Sequence, residues 1–264
     1  MSEALSWMPH EEGDLALLGY LEGEALRQRV QELDALGCHR ILGPMEGTTW
    51  QSYRLVTWSD GSIPFALEAE RLFQDPAPWR ALGFREADGY FSSRLSLAAD
   101  AQAERAQLRF EQKGLQIRPL DLSRFTEELD ALHELSLIAF AHNLWYQPIS
   151  REAFHALYLP FADQLLPDCV RLAEADGQLQ GFVFSQPDPR RGELIIKTVA
   201  IRPERRWAGL GRVLCNCAAA EGRALGMDHG IHAFMHDANV SANLARDAEV
   251  IRRYHLLIRE RDRV

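Results

Sequence analysis

Basic charge is what this 264-residue sequence is short of: 29 Lys and Arg stand against 38 Asp and Glu, a formal charge of -9. So acidic a chain lacks the broad positive field on which non-specific nucleic-acid binding depends, and nucleic acid is not an expected partner. Cysteine is scarce too. Cys38, Cys169, Cys215 and Cys217 are too few and too scattered for a disulfide framework or a zinc-finger pattern. No apolar run approaches the roughly 18 residues of a membrane-spanning helix. The segment Met1–Trp7 has neither the basic nor the apolar region of a signal peptide. Together these absences predict a protein of the reduced cytoplasm with no membrane partner. What is present, 47% hydrophobic and 25% charged residues, suffices for one globular core or two.

A polar, Ala-rich stretch over 101–114 divides the chain into 1–100 and 115–264, and reads equally as a solvated helix or a connector. In the first part, Leu18, Leu21, Ala25, Val30 and Leu33 predict a helix over Leu15–Leu36, stopped by Gly37. A strand over Cys38–Met45 follows, and Ser52–Trp58 faces Ser62–Leu67 across Asp60-Gly61 as a hairpin. A short helix around Pro78–Leu82 precedes a strand at Gly89–Leu95.

The second part opens on a strand at Leu115–Arg118, then a helix capped by Ser123 with Phe125, Leu129, Leu132 and Leu135 inward. After a second helix, Val170–Ala173 and Leu179–Phe184 turn at Asp176-Gly177. The pattern then gives a strand at Glu193–Ile201, a helix at Leu210–Leu225, and strands at His229–Met235 and Glu249–Arg259. The order β-α-α-β-β-β-α-β with a terminal strand is mixed α/β, not an alternating βαβ array.

The most informative residues join the Glu193 strand to the Leu210 helix. They run Val199-Ala200-Ile201-Arg202-Pro203-Glu204-Arg205-Arg206-Trp207-Ala208-Gly209-Leu210-Gly211-Arg212. Two glycines let backbone approach a ligand closely, and free amides at a helix N-terminus make an anion site. Arg205, Arg206 and Arg212 add positive charge, so a diphosphate-bearing ligand is expected. A Walker loop is excluded because no Gly-Lys-Ser/Thr follows, and Leu214 stands where a dinucleotide loop needs its third glycine.

With its Arg206-x-x-Gly209-x-Gly211 loop, strand before and helix after, the sequence resembles the GCN5-related N-acetyltransferase (GNAT) superfamily over residues 115–264. The resemblance implies an α+β fold, a mixed and mostly antiparallel sheet flanked by helices. It implies acetyl-CoA as cosubstrate, its pyrophosphate on the amides of Arg206, Trp207, Ala208, Gly209, Leu210, Gly211 and Arg212. The strand residues Val199, Ala200 and Ile201 would splay from their neighbour and pair with the pantetheine arm. Asn239-x-x-Ala242, with Ser241, is similar to the family's second cofactor motif. Residues 72–93, with Trp79-x-x-Leu82-Gly83-Phe84 and Tyr90, are similar to the elements that close many such domains. The first 100 residues therefore read as a degenerate second copy, without arginine or G-x-G in its loop around Gly19–Gly23.

For acyl transfer the resemblance implies a backbone amide near Val199 or Ala200 as oxyanion donor and a strand glutamate, or water held by it, as base. Glu193 shares a strand face with the position of that glutamate and is the candidate. Arg246 stands where the family has a Tyr as general acid, a departure in which an arginine would stabilise the leaving thiolate. Ser241 and Tyr254 are other donors. His236, with Asp237 at the end of its strand, would hold water or substrate. His229, His232 and His236 do not share one strand face and no carboxylate or Cys completes them, so no metal is expected. Cys215 and Cys217 read as core. The aromatic segment Phe140–Ile149 would line an acceptor pocket. The expected function is N-acetylation of a small-molecule or peptide amine by a monomer or homodimer; the alternative is a CoA-binding or scaffold protein that has lost its chemistry.

Overall fold

A computed structural model describes residues 6–8, 15–68, 74–238 and 248–261. The chain forms two compact units, one of Met1–Pro64, Glu68–Phe91 and Val250–Val264, the other of Phe65–Leu67 and Ser92–Glu249.

In the first unit the strand order is β1 (Ser6–Met8), β2 (Leu15–Leu17), β3 (Arg40–Gly43), β11 (Glu249–Glu260) and then the first part of β5 (Arg85–Ser96). Strand β4 (Leu55–Ser59) also pairs with β11. Helix α1 (Gly23–Ala35) buries Leu26, Val30 and Leu33, spaced three and four apart, with Ala16, Ile41, Leu55 and Leu257. The helix expected from Leu15 starts later because Leu15, Ala16 and Leu17 are all buried, which a strand between two neighbours permits and a surface helix does not. The expected 52–67 hairpin does not form either. Asp60 turns the chain by accepting from the Ser62 amide (2.9 Å), and β4 pairs instead with β11, nearly 200 residues on. Helix α2 (Ala77–Ala81) ends at Gly83 (φ 88°), and Phe84 then meets Trp79 edge-on with ring centres 5.0 Å apart.

The last strand thus lies outside the 115–264 domain expected from sequence. A strand joins whichever edge offers a matching hydrogen-bond register, and Leu257–Glu260 finds it antiparallel to Arg40–Gly43.

The second unit holds the rest of β5, then β10 (His229–His236), β9 (Glu193–Ile201), β8 (Gln178–Asp188), β7 (Val170–Ala175) and β6 (Gln116–Pro119) in that order. Ladders β6–β7, β7–β8 and β8–β9 are antiparallel, and β9–β10 is parallel. This is the mixed, mostly antiparallel sheet flanked by helices that the sequence implied. Asp176 and Gly177, both with positive φ (56° and 71°), make the β7–β8 turn. Helix α6 (Leu210–Ala224) and helix α3 (Ala101–Glu111) pack together on one face around Leu194, Ile196, Val213, Leu214 and Phe110. The stretch read as solvated helix or connector is therefore part of a core. Cys215 sits in this core, its thiol pushed up to about 12 by burial. Helix α4 (Phe125–Ala139), with α5 (Arg151–Tyr158) beside it, packs on β8 and β9 without joining that core. The turn before α4 is capped by Asp121, which accepts from the Ser123 amide at 3.0 Å, rather than by Ser123 itself.

Among the described residues no helix is long and apolar enough to cross a membrane.

Candidate functional site

Two features of the second unit create an opening beside β9. The parallel β9–β10 ladder holds four residue pairs, from Glu193↔His229 to Ile196↔His232, and ends there. At the same level the β8–β9 register slips, because Phe184 pairs with Thr198 but Ser185 with Ile196. Lys197 is the extra residue of this bulge. A bulge kinks its strand and turns the following residues by one position. Leu194 and Ile196 face α6 before it, and Val199 and Ile201 face the same helix after it. Strict alternation would have turned Val199 and Ile201 away. From Thr198 to Ile201, β9 stays paired with β8 while its other edge is no longer laddered to β10. On β10 the backbone is also irregular: Phe234 has φ 57°, and its amide donates to Ser92 Oγ at 2.9 Å.

Below this edge the chain enters α6 through a fixed loop. The Arg205–Trp207 turn is pinned by the buried Trp207, whose indole N–H donates to Gln180 Oε1 at 2.8 Å. Gln180 is fully buried on β8 and donates in turn to the Ala175 carbonyl at 3.0 Å. Its own carbonyl accepts from the Arg202 amide at 2.8 Å, so one glutamine sets both ends of the loop. Nothing in the sequence singled it out; a polar residue inside an apolar strand was its only signal.

Gly209 follows in the left-handed region (φ 92°) as the N-cap of α6, with no side chain capping the helix. The first amides of α6 thus lack an intrahelical acceptor and carry the positive end of the helix dipole. A Cβ at Gly209 would meet nothing within 4 Å, so the space beside this residue is open.

The arginines do less here than expected. Arg206 donates to Asp176 (3.0 Å) and Glu204 (2.7 Å) and lies over the Trp207 ring at 4.7 Å. Arg212 pairs with Asp100, which caps α3, and reaches Gln102 at 2.6 Å; its guanidinium holds the Asp100 carboxyl below the usual range. Both cations are committed to carboxylates, and Arg205 alone of the three is exposed without an ion pair among the described residues. The anion-holding capacity of the loop is therefore mainly that of its backbone amides.

Glu193 is buried at the start of β9, three residues before the ladder ends. Arg94 Nε donates to one of its oxygens and Arg191 Nε to the other at 2.6 Å. Both oxygens of the candidate base are thus paired, one with an arginine 99 residues away in sequence. His236 lies at the far end of β10 with Nδ1 accepting from the Ala238 amide at 3.1 Å, which puts its proton on Nε2 in the neutral tautomer. His232 is buried, and desolvation lowers its pKa to about 4. Among the described residues no group of three His, Cys, Asp or Glu could hold a metal ion. Asn239, Ser241, Ala242 and Arg246 lie outside the described residues. Tyr254 belongs to the first unit, where its hydroxyl donates to Glu68 at 2.6 Å.

The segment Phe65–Leu67 belongs to this unit despite its distance in sequence. The Ala66 amide donates to Asp188 Oδ2 at 2.7 Å, and Phe65 meets Phe234 with ring centres 5.5 Å apart. In the aromatic segment, Trp145 takes φ 63°, and His133 bonds the Ile149 carbonyl at 2.8 Å.

Comparison with known proteins agrees with this geometry. Residues 130–246 match the Acetyltransferase (GNAT) family. A GCN5-related N-acetyltransferase from Sphaerobacter thermophilus has the same fold at 16% identity, with a TM-score of 0.52 over 71% of this chain and 56% of that one. A glucosamine N-acetyltransferase region of a fungal multi-domain GH3 β-N-acetylglucosaminidase aligns at 12% identity with a TM-score of 0.59, over 96% of this chain and 31% of the other. A GCN5-related N-acetyltransferase from Anabaena variabilis aligns at 9% identity with a TM-score of 0.50, over 97% of this chain and 58% of the other. The chain thus spans between about a third and somewhat over half of the length of these relatives. No curated protein matches the sequence. Residues 130–246 thus match an acetyltransferase domain of the GNAT family, a match that supports acyl transfer in general, and the fold is the one seen in GCN5-related N-acetyltransferases.

Proposed function

We propose that the second unit transfers an acetyl group from acetyl-CoA to an amine of a small molecule or peptide. One observation carries the reading: left-handed Gly209 presents an uncapped helix N-terminus beside a strand whose parallel pairing stops at Ile196↔His232. The open space above Gly209 and the unsatisfied amides fit a diphosphate. Acetyl-CoA would supply the activated thioester. The amides from Arg206 to Arg212 hold the diphosphate, while Arg206 and Arg212 fix the loop through Asp176 and Asp100. The main chain of Val199, Ala200 and Ile201 offers the free strand edge to the pantetheine arm, and an amide at Val199 or Ala200 donates to the carbonyl oxygen as charge develops there.

Glu193 organises Arg94 and Arg191 at the base of the opening rather than drawing a proton from the amine. His236, at the end of β10, is placed to hold water or substrate, its neutral tautomer set by the Ala238 amide. Asn239 and Ser241 are proposed contacts to the cofactor, and Arg246 the cation that stabilises the departing thiolate.

Calorimetric titration of acetyl-CoA, CoA, ATP and NAD into wild type and Gly209→Trp tests the reading. Acetyl-CoA binding that the variant loses supports it; wild type that prefers ATP or NAD, or binds no CoA, refutes it. Thiol release over a panel of polyamines, aminoglycosides and peptides then separates an enzyme from a CoA-binding protein.

A further inference from the structure

The acetyl-transfer reading leaves a cleft of about 620 Å3 unused in the first unit, between β4, β11, α2 and the start of β5. The volume lies in the range of small-molecule sites. Its floor is one face of the β4–β11 pair. Trp58 and Arg253 stand directly opposite in that register, so their side chains emerge side by side. Trp58 is 45% exposed, an unusual state for an indole in a strand.

The two do not satisfy each other. Among the described residues no guanidinium lies over the Trp58 ring, the cation–π contacts being those of Arg54, Lys197 and Arg206. The carboxylates of the cleft already have partners. Glu86 accepts from Arg80 at 2.6 Å and stands 3.6 Å from His255 Nε2, while Asp75 accepts from the Ala77 amide at 2.9 Å. His255 is held on its other side, Nδ1 lying 2.7 Å from Thr57 Oγ1. Arg253 makes no ion pair among the described residues.

An indole face and a planar guanidinium fork side by side match a ligand that is flat at one end and anionic at the other. Because Thr57, His255, Glu86 and Arg80 are locked to one another, the polar wall is preorganised and loses little freedom on binding. We propose that this cleft binds a small aromatic carboxylate, its ring against Trp58 and its carboxylate on Arg253.

The test uses the full chain with benzoate, its neutral isostere benzamide, and phenyl phosphate, followed by ligand-observed NMR titration. Benzoate should bind at least about tenfold tighter than benzamide, a difference of about 1.4 kcal/mol. Arg253→Gln should erase that difference, and Trp58→Ala should weaken both ligands. Both side chains are surface-facing, and unchanged thermal unfolding confirms the fold of each variant. Equal binding of benzoate and benzamide to wild type, or a preference that survives Arg253→Gln, overturns the proposal. Phenyl phosphate binding tenfold tighter than benzoate overturns the carboxylate assignment. Acetyl-CoA affinity should be the same in all three proteins.

Discussion

The two glycines of the cofactor loop should respond in opposite ways to the same methyl group. Gly209 has φ 92°, where an L-residue costs about 1–2 kcal/mol; the reduced entropy of the unfolded chain returns about 0.5 kcal/mol of that. Gly209→Ala should therefore destabilise by about 1 kcal/mol although its Cβ meets nothing within 4 Å. Gly211 lies in the first turn of α6 without positive φ, and its Cβ would sit 3.6 Å from Val199 Cγ1, ordinary van der Waals contact. Gly211→Ala should therefore be neutral or stabilising by roughly 0.5 kcal/mol, from the higher helix propensity of alanine. The variants should differ by about 1.5 kcal/mol in urea unfolding, near 3–6 °C in Tm for a chain of this size. Acetyl-CoA titration adds the functional half. The methyl at 209 enters the open space beside that residue and should lower affinity at least tenfold, while the methyl at 211 turns toward Val199 and should leave it within about threefold. If Gly209→Ala proves as stable as wild type, or binds acetyl-CoA unchanged, the backbone argument for this loop is wrong.

Glu193→Gln removes one partner of a buried pair of ion pairs and should cost about 2–4 kcal/mol, reduced from the fully buried case because Arg94 is partly exposed. The pH profile of thiol release should stay in place; a shifted acid limb would restore Glu193 as the base. His232 is held near pKa 4 against about 6.5 for a free imidazole, so the folded state binds fewer protons than the unfolded. Its contribution is complete above pH 6.5 and falls as pH drops toward 4, by roughly 3 kcal/mol in total. Urea midpoints measured over that window should decline in wild type and flatten in His232→Gln. Arg252, 1% exposed, answers Asp60 (2.8 Å) and the buried Glu68 (3.4 Å); Arg252→Met leaves those carboxylates without their cation. A loss of about 3–5 kcal/mol is expected by denaturant unfolding, and near-wild-type stability would show that Glu68 is solvated.

Signals confined to a few neighbouring residues were legible in the sequence. Asp176-Gly177 had to turn, because both residues tolerate positive φ. Val30 and Leu33 had to share a helix face. Gly209 before the apolar positions of α6 announced an uncapped N-terminus, and with Arg206 and Gly211 it pointed to the family. Such features follow from steric limits on one or two residues, or from the period of a helix, and need no distant partner.

Pairings between distant residues were not legible. The last strand completes the first unit, because edge hydrogen bonds accept any strand in register, and local sequence is silent on which edge is free. Asp60-Gly61 has hairpin chemistry yet turns into a loop, since β11 already occupies the flank of β4. The Lys197 bulge reverses the facing of Val199 and Ile201 against a pattern that reads as simple alternation. Most consequential for the site, the charges around it looked available in one dimension. Folding pairs Arg206 with Asp176, Arg212 with Asp100 and Glu193 with Arg94, and leaves the backbone amides of the loop and the exposed Arg205 as the features an anion can use. Sequence by itself determined the loop, the helix behind it and the resemblance they carry; only the tertiary structure decided which charged groups stay open, because a charge pairs with whichever opposite charge the fold brings beside it.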